Sequence, residues 1–262
     1  MIKYFRRIRQ NLLSEGKTGK PSFAAGRYLK YALGEIILVV LGILIAISIN
    51  NWNDKRKNNI TETEYYCKLL SDFELDRINI SRLTQESEYK IDVAKTTLLE
   101  LDQRQKDKAY FINNYIQAYR TNAFVPSKAT ITDILSTGKL NLLTNDSLKN
   151  KLIRYYAELD NFLIQLELNR SATLQKAFEY DSWVGIGFQY ADYVNKVLGP
   201  EILETLPVNN WHLEAKSPYY RQFQDDLVFF ITMSEREKQF FNAILDEMES
   251  LYQQLKIECD EN

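Results

Sequence analysis

Histidine occurs once in the 262 residues, as His212, and cysteine twice, as Cys67 and Cys259. A zinc centre needs several such ligands, so any metal would fall to carboxylates, and no EF-hand-like spacing gathers those. Ser-His-Asp catalysis would have to recruit His212 from the segment WHLE, which reads better as an ordinary loop or bundle-cap residue. Glycine and proline are also scarce. The 212 residues after Asn50 hold four glycines (Gly138, Gly185, Gly187, Gly199) and four prolines (Pro126, Pro200, Pro207, Pro218). That is too few breakers for a β-sandwich with many turns. The run STGKLN at 136–141 lacks G-x-x-x-x-G-K-[ST] and a preceding strand, so Gly138 reads as a helix stop. No cofactor is expected, and an enzyme is the poorest of the functional classes.

Charge is absent from Ile36 to Ile49, where Ser48 is the only polar residue among fourteen. Fourteen helical residues cover about 21 Å, short of a hydrocarbon core of about 30 Å. Extension back through Tyr31, Ala32, Leu33 and Gly34 gives nineteen residues and about 28 Å, and admits Glu35 one turn inside the edge, where it can reach toward headgroups. The exit Asn50-Asn51-Trp52-Asn53 places an indole at the boundary, so Tyr31 and Trp52 are the expected interfacial anchors. A cleaved signal peptide fits less well, because thirty residues precede the apolar run and ISINNWN offers no A-x-A-like site. An uncleaved single span over 31–52 is expected.

The net charge of −2 conceals an asymmetry. Residues 1–30 carry eight basic residues (Lys3, Arg6, Arg7, Arg9, Lys17, Lys20, Arg27, Lys30) and one acid, Glu15; residues 51–262 carry twenty-five basic and thirty-three acidic residues. Lys55, Arg56, Lys57 and Lys68 follow the span, and eight basic residues against four place the N-terminus inside. The basic arm suits an anionic inner leaflet, and the acidic remainder argues against nucleic acid. Ile2, Phe5, Ile8 and Leu12 share one helical face, so the arm is either a basic amphipathic helix or a positive topogenic tail. Within the span, Gly42 and Ala46 with Gly34 form a small-residue face that would let two helices approach closely.

Beyond the span, no glycine or proline interrupts 59–105, which predicts a very long helix. Its apolar seam is read at 66, 70, 73, 77, 80, 84, 87, 91, 94, 98 and 101, with polar Arg77, Thr84 and Ser87 clustered mid-helix as a ligand site, a register device or a wet seam. A short helix follows over about 107–121. Ser127 is the expected cap of another ending at Thr137, and a long helix from Asn145 to about Ser182 buries Leu148, Leu152, Tyr155, Leu159, Phe162 and Leu166. Residues 184–217 read as irregular, and Ser217-Pro218 opens a final helix to about Glu258. The aromatic pairs, such as Tyr65-Tyr66 and Tyr155-Tyr156, read as one core residue beside one surface residue. In an up-and-down bundle Cys67 and Cys259 fall at the same end, where an oxidising compartment would permit a disulfide.

The segments MIKYFRRIRQNLLSEGK, KYALGEIILVVLGILIAISINNWND and STGKLNLLTNDSLKNKLIRYY together resemble a family of uncharacterised bacterial single-pass membrane proteins. The resemblance implies a bacterial inner-membrane location and supplies no catalytic residue. PSFAAGR before the span looks like an insertion relative to that family.

The expected architecture is all-α: a basic cytoplasmic arm (1–30), a transmembrane helix (31–52) and an elongated up-and-down helical bundle in the periplasm (53–262). The expected function is that of a non-enzymatic, membrane-anchored helical module acting through a protein partner or self-association. The alternative is a ligand-sensing ectodomain that signals through a partner, since about thirty cytoplasmic residues cannot house an output domain.

Overall fold

A computed structural model describes residues 24–260, with side chains from residue 32 onward. The amphipathic reading of residues 1–13 and the side chain of Tyr31 lie outside the described residues. Among those residues there are seven α-helices and no strand: α1 (Ala24–Gln103), α2 (Lys108–Tyr119), α3 (Ala129–Ser136), α4 (Asp146–Ala177), α5 (Trp183–Ile186), α6 (Asp192–Leu203) and α7 (Pro218–Asp260). The chain divides into two compact units at Asn59/Ile60.

In the first unit α1 displays its apolar residues to the outside. Leu33, Ile37, Leu41, Leu44, Ile49 and Trp52 are all exposed, and the helix is long and apolar enough to cross a membrane.

The second unit is a bundle with a readable register. From Glu62 to Leu101, α1 buries every residue at 62, 66, 69, 73, 76, 80, 83, 87, 90, 94, 97 and 101. Helix α7 buries Tyr220, Phe223, Leu227, Phe230, Ser234, Glu237, Phe241, Ile244, Met248, Leu251 and Leu255. Both series alternate steps of three and four, the spacing that keeps one stripe facing a partner helix. The two helices run antiparallel: Cys67 meets Cys259, Arg77 lies 3.5 Å from Glu249, and the Tyr220 hydroxyl donates to the Leu101 carbonyl at 3.4 Å. Helix α4 is antiparallel to α7 as well, with Asn145 Nδ2 donating to Glu258 at 2.6 Å and Asn169 Nδ2 to the Met233 carbonyl at 3.0 Å. The return arm between α1 and α4 comprises α2, a stretch without regular secondary structure over 120–128 and α3.

That irregular stretch leaves backbone donors to satisfy, and α1 supplies carboxylates for them. Asp76 Oδ1 accepts from the Ser127 N–H at 2.8 Å and Asp72 Oδ2 from the Thr130 N–H at 3.1 Å. Ser127 is therefore held by tertiary contact and does not cap α3, whose first turn follows Lys128 with no side-chain cap. Asp107 and Asn145 cap α2 and α4 through the N–H groups of Tyr110 and Leu148. Gly138 stops the α3 turn with φ 69°, a left-handed conformation costly for other residues.

Two further boundaries differ from expectation. Helix α4 ends at Ala177, five residues before Ser182. The segment read as irregular contains α5 and α6, the latter kinked at Gly199. The start of α6 is capped from another helix: Asn113 Oδ1 accepts from the Asp192 N–H at 3.1 Å, and Asn113 Nδ2 donates to Asp192 Oδ1 at 2.9 Å. No local pattern could announce that cap.

Candidate functional site: a polar layer between two apolar cores

The bundle has two separate apolar cores. One gathers Tyr66, Leu69, Phe73 and Ile80 of α1 with Leu152 and Leu159 of α4 and Phe241, Ile244 and Met248 of α7. The other gathers Ala94, Leu101, Phe111 and Tyr115 with Trp211, Phe223, Leu227 and Phe230. Between them the seam positions turn polar. Ser87 and Lys90 of α1, Asn169 and Thr173 of α4, and Ser234 and Glu237 of α7 are all buried.

Glu237 is the centre of this layer. Its Oε2 accepts from Ser87 Oγ at 2.7 Å and from Lys90 Nζ at 2.5 Å, and the two charged side chains are only 10% and 11% exposed. A carboxylate and an ammonium taken out of water are tolerable only when paired and hydrogen-bonded. The pair therefore acts as a register key. A slip of one heptad would set Lys90 against Phe230 or Ile244 and leave a buried charge without its partner. Asn169 Oδ1 and Thr84 Oγ1, at the same level, are buried and have no protein hydrogen-bond partner among the described residues.

A second buried carboxylate lies in the core containing Trp211. Asp226 is fully buried; the Tyr115 hydroxyl donates to its Oδ2 at 2.8 Å, and Lys176 Nζ lies 3.3 Å from its Oδ1. Burial pushes its carboxyl above the ordinary carboxylate value, while the hydroxyls of Tyr180 and Tyr115 and the Lys176 ammonium pull it back. A carboxyl with a raised folded value contributes stability below its unfolded value, and this is lost as pH rises through the folded value. Nearby, burial and the adjacent Lys108 hold the His212 imidazole below its usual value, with Asp107 opposing. Its contribution is present above the unfolded value and is lost as pH falls through the folded one. Because the two signs are opposite, Asp226 is isolated by comparing the native chain with Asp226→Asn. The native melting temperature is expected to fall relative to that of the variant as pH rises above the ordinary carboxylate value, about 4. Melting temperatures that run parallel as pH rises would remove Asp226 as the cause.

Near the disulfide, Glu62 Oε1 accepts from the Tyr66 hydroxyl at 2.9 Å and from the N–H and hydroxyl of Thr144 at 2.5 and 2.8 Å. This ties the loop before α4 to α1. Cys67 and Cys259 are bonded, with their Cα atoms 5.0 Å apart. Gly34, Gly42 and Ala46 lie on the exposed part of α1, and a Cβ added at Gly34 or Gly42 would meet nothing within 4 Å. Trp52 is 66% exposed.

Of the mid-helix polar residues singled out in the sequence, Ser87 belongs to the layer, Thr84 borders it and Arg77 stacks over Tyr252. Lys90, Glu237 and Asp226 were missed. The buried α1 stripe starts at Glu62 and carries Asp76, Lys90 and Thr97 inward, so by polarity alone it reads as less apolar than the stripe through Leu70, Ile91 and Leu98.

Residues 35–182, more than half of the chain, match the model of a family of unknown function, DUF6090. The chain belongs to this family. Neither a curated protein nor a solved structure matches it. The DUF6090 match takes in the apolar segment from Glu35, the bundle part of α1, the return arm and α4, and it ends before the α7 half of the polar layer.

Proposed function

We propose that this DUF6090 protein is a non-enzymatic, membrane-anchored helical module acting through a protein partner or through self-association. In this reading it has a single span in a bacterial inner membrane, its N-terminus is cytoplasmic and its bundle is periplasmic. The observation that carries the reading is the continuity of α1, one helix that bears both the exposed apolar stretch and the first long helical segment of the bundle. The excess of basic residues before the apolar stretch supports the orientation, and the bonded Cys67 and Cys259 fit an oxidising compartment. The polar layer supports a scaffold more than a reaction site, because its charged groups engage one another.

The test is crosslinking in intact cells followed by capture through a C-terminal tag. One defined envelope protein, or the chain itself, is expected among the crosslinked products. Capture of the uncrosslinked monomer alone, together with a monomeric mass in mild detergent, would overturn the reading. Self-association would use the face of Gly34, Gly42 and Ala46, so Gly42→Ile is expected to abolish the self-crosslink. The alternative, a ligand-sensing bundle, draws support from the unpartnered Asn169 Oδ1 and Thr84 Oγ1. A thermal shift with a small polar ligand that disappears in Asn169→Leu would favour it.

A further inference from the structure

We propose that Lys55, Arg56 and Lys57, just past the exit of the span, form a docking surface for anionic phospholipid headgroups. The inference rests on the membrane-spanning reading and adds a lipid partner on the side opposite the basic arm. All three residues are exposed and lie on the unbroken helix α1, three to five positions beyond Trp52. None of them is in an ion pair among the described residues. The only acid within one helical turn, Asp54, accepts instead from Asn50 Nδ2 at 3.0 Å. Asn51, Asn53, Asn58 and Asn59 fill the neighbouring positions, so three cations stand against the single charge of Asp54 and the segment keeps a net positive charge.

Geometry directs them toward the bilayer. At about 1.5 Å per residue, Lys55 to Lys57 stand roughly 9–12 Å along the axis from Ile49, the last apolar residue of the stretch. Helical Cα–Cβ bonds tilt toward the N-terminus, which here is the membrane side, so these long side chains lean back toward the phosphate level. Three consecutive positions sweep more than half of the helix circumference, so the charge surrounds the helix and marks no single face. That distribution suits a ring of lipid headgroups better than one protein surface. Lys55 and Lys57 act as point charges on lipid phosphates, and Arg56 can engage a phosphate through two N–H groups.

The test uses the full chain reconstituted in phosphatidylcholine vesicles doped with dansyl-labelled phosphatidylglycerol or dansyl-labelled phosphatidylcholine. Energy transfer from Trp52 is isolated by subtracting the signal of Trp52→Phe, and the basic arm cannot contribute to it across roughly 30 Å of hydrocarbon. Labelled phosphatidylglycerol is expected to be enriched around Trp52 by about fivefold or more, with enrichment falling to parity in K55Q/R56Q/K57Q and shrinking as salt rises. Equal transfer to the two labelled lipids in the native chain, or enrichment that survives the triple substitution, would overturn the proposal. Loss of the enrichment on adding millimolar inorganic phosphate would overturn the choice of a lipid phosphate over a free one. Insertion is scored separately by alkaline extraction. A chain that stays inserted without lipid preference sinks this inference alone, whereas a chain washed off the vesicles sinks the membrane reading with it.

Discussion

Replacing Cys67 and Cys259 by serine is expected to lower the melting temperature of the bundle by roughly 4–20 °C. The bond closes a loop of 192 residues, nearly the whole second unit. Without it the unfolded chain regains the freedom of that loop, worth about 5 kcal/mol in the chain-entropy treatment, and measured losses of native disulfides run to about 2–5 kcal/mol. For a unit of this size each kcal/mol moves the midpoint by roughly 2–4 °C. The bond also sits where α1 and α7 begin and end their pairing, beside the contacts of Glu62, so fraying at that end would follow its loss. Thermal melts by circular dichroism, with and without reductant, measure the effect. The serine variant and the reduced native chain should coincide, and a shift of only a degree or two would show that the bond adds little to the pairing.

Truncating Glu237 to alanine is expected to destabilise the bundle by about 3–5 kcal/mol, because it leaves the Lys90 ammonium buried without its partner. The Ser87 hydroxyl would lose its acceptor on Glu237 as well. Lys90→Met alone should cost less, since the remaining carboxylate keeps the Ser87 hydrogen bond. The double variant Lys90→Met/Glu237→Leu should recover most of the loss, because a well-packed apolar pair of similar volume often equals or exceeds a buried ion pair. Denaturant unfolding of the four proteins gives the coupling energy directly. The double variant should also reveal what the pair is for. If it sets register, the apolar version should show a broader transition or a mixed population of pairings at restored stability. If Glu237→Ala costs no more than a surface substitution, the polar layer is not a buried feature of the native bundle.

Both effects depend on the α1–α7 pairing, which was legible in the sequence only in outline. The absence of breakers from Asn59 to Gln105, and after Pro218, announced the two long helices. The positions 66, 73, 80, 87, 94 and 101 were placed correctly on the buried face. Ile91 is buried as expected, but the intervening seam was otherwise read one residue late, at 70, 77, 84 and 98, because Asp76, Lys90 and Thr97 count against burial when side chains are scored by polarity alone. Their burial becomes reasonable only with their partners in view: the Ser127 N–H for Asp76, Glu237 for Lys90 and the Val93 carbonyl for Thr97. The aromatic pairs followed expectation at Tyr219-Tyr220, Phe229-Phe230 and Phe240-Phe241, where one member is buried and the other only half-buried, and departed from it at two pairs for a related reason. Tyr65 and Tyr66 are both buried, as are Tyr155 and Tyr156, since the bundle surrounds α1 and α4 on more than one side. The irregular arm over 120–128 and the borrowed cap of α6 are tertiary facts, invisible to local pattern. Nothing around residue 226 singles out Asp226 before Tyr115 and Lys176 are brought to it from two other helices.

The most direct test of the account is alkaline carbonate extraction of membranes from cells expressing the full chain, followed by protease treatment of intact spheroplasts. The membrane-anchored reading predicts that the chain stays in the pellet and that protease added from outside degrades the bundle while sparing the N-terminal arm. Release of the intact chain into the carbonate supernatant would contradict the anchor, and a bundle protected in intact spheroplasts but digested after lysis would contradict its placement outside the cytoplasm.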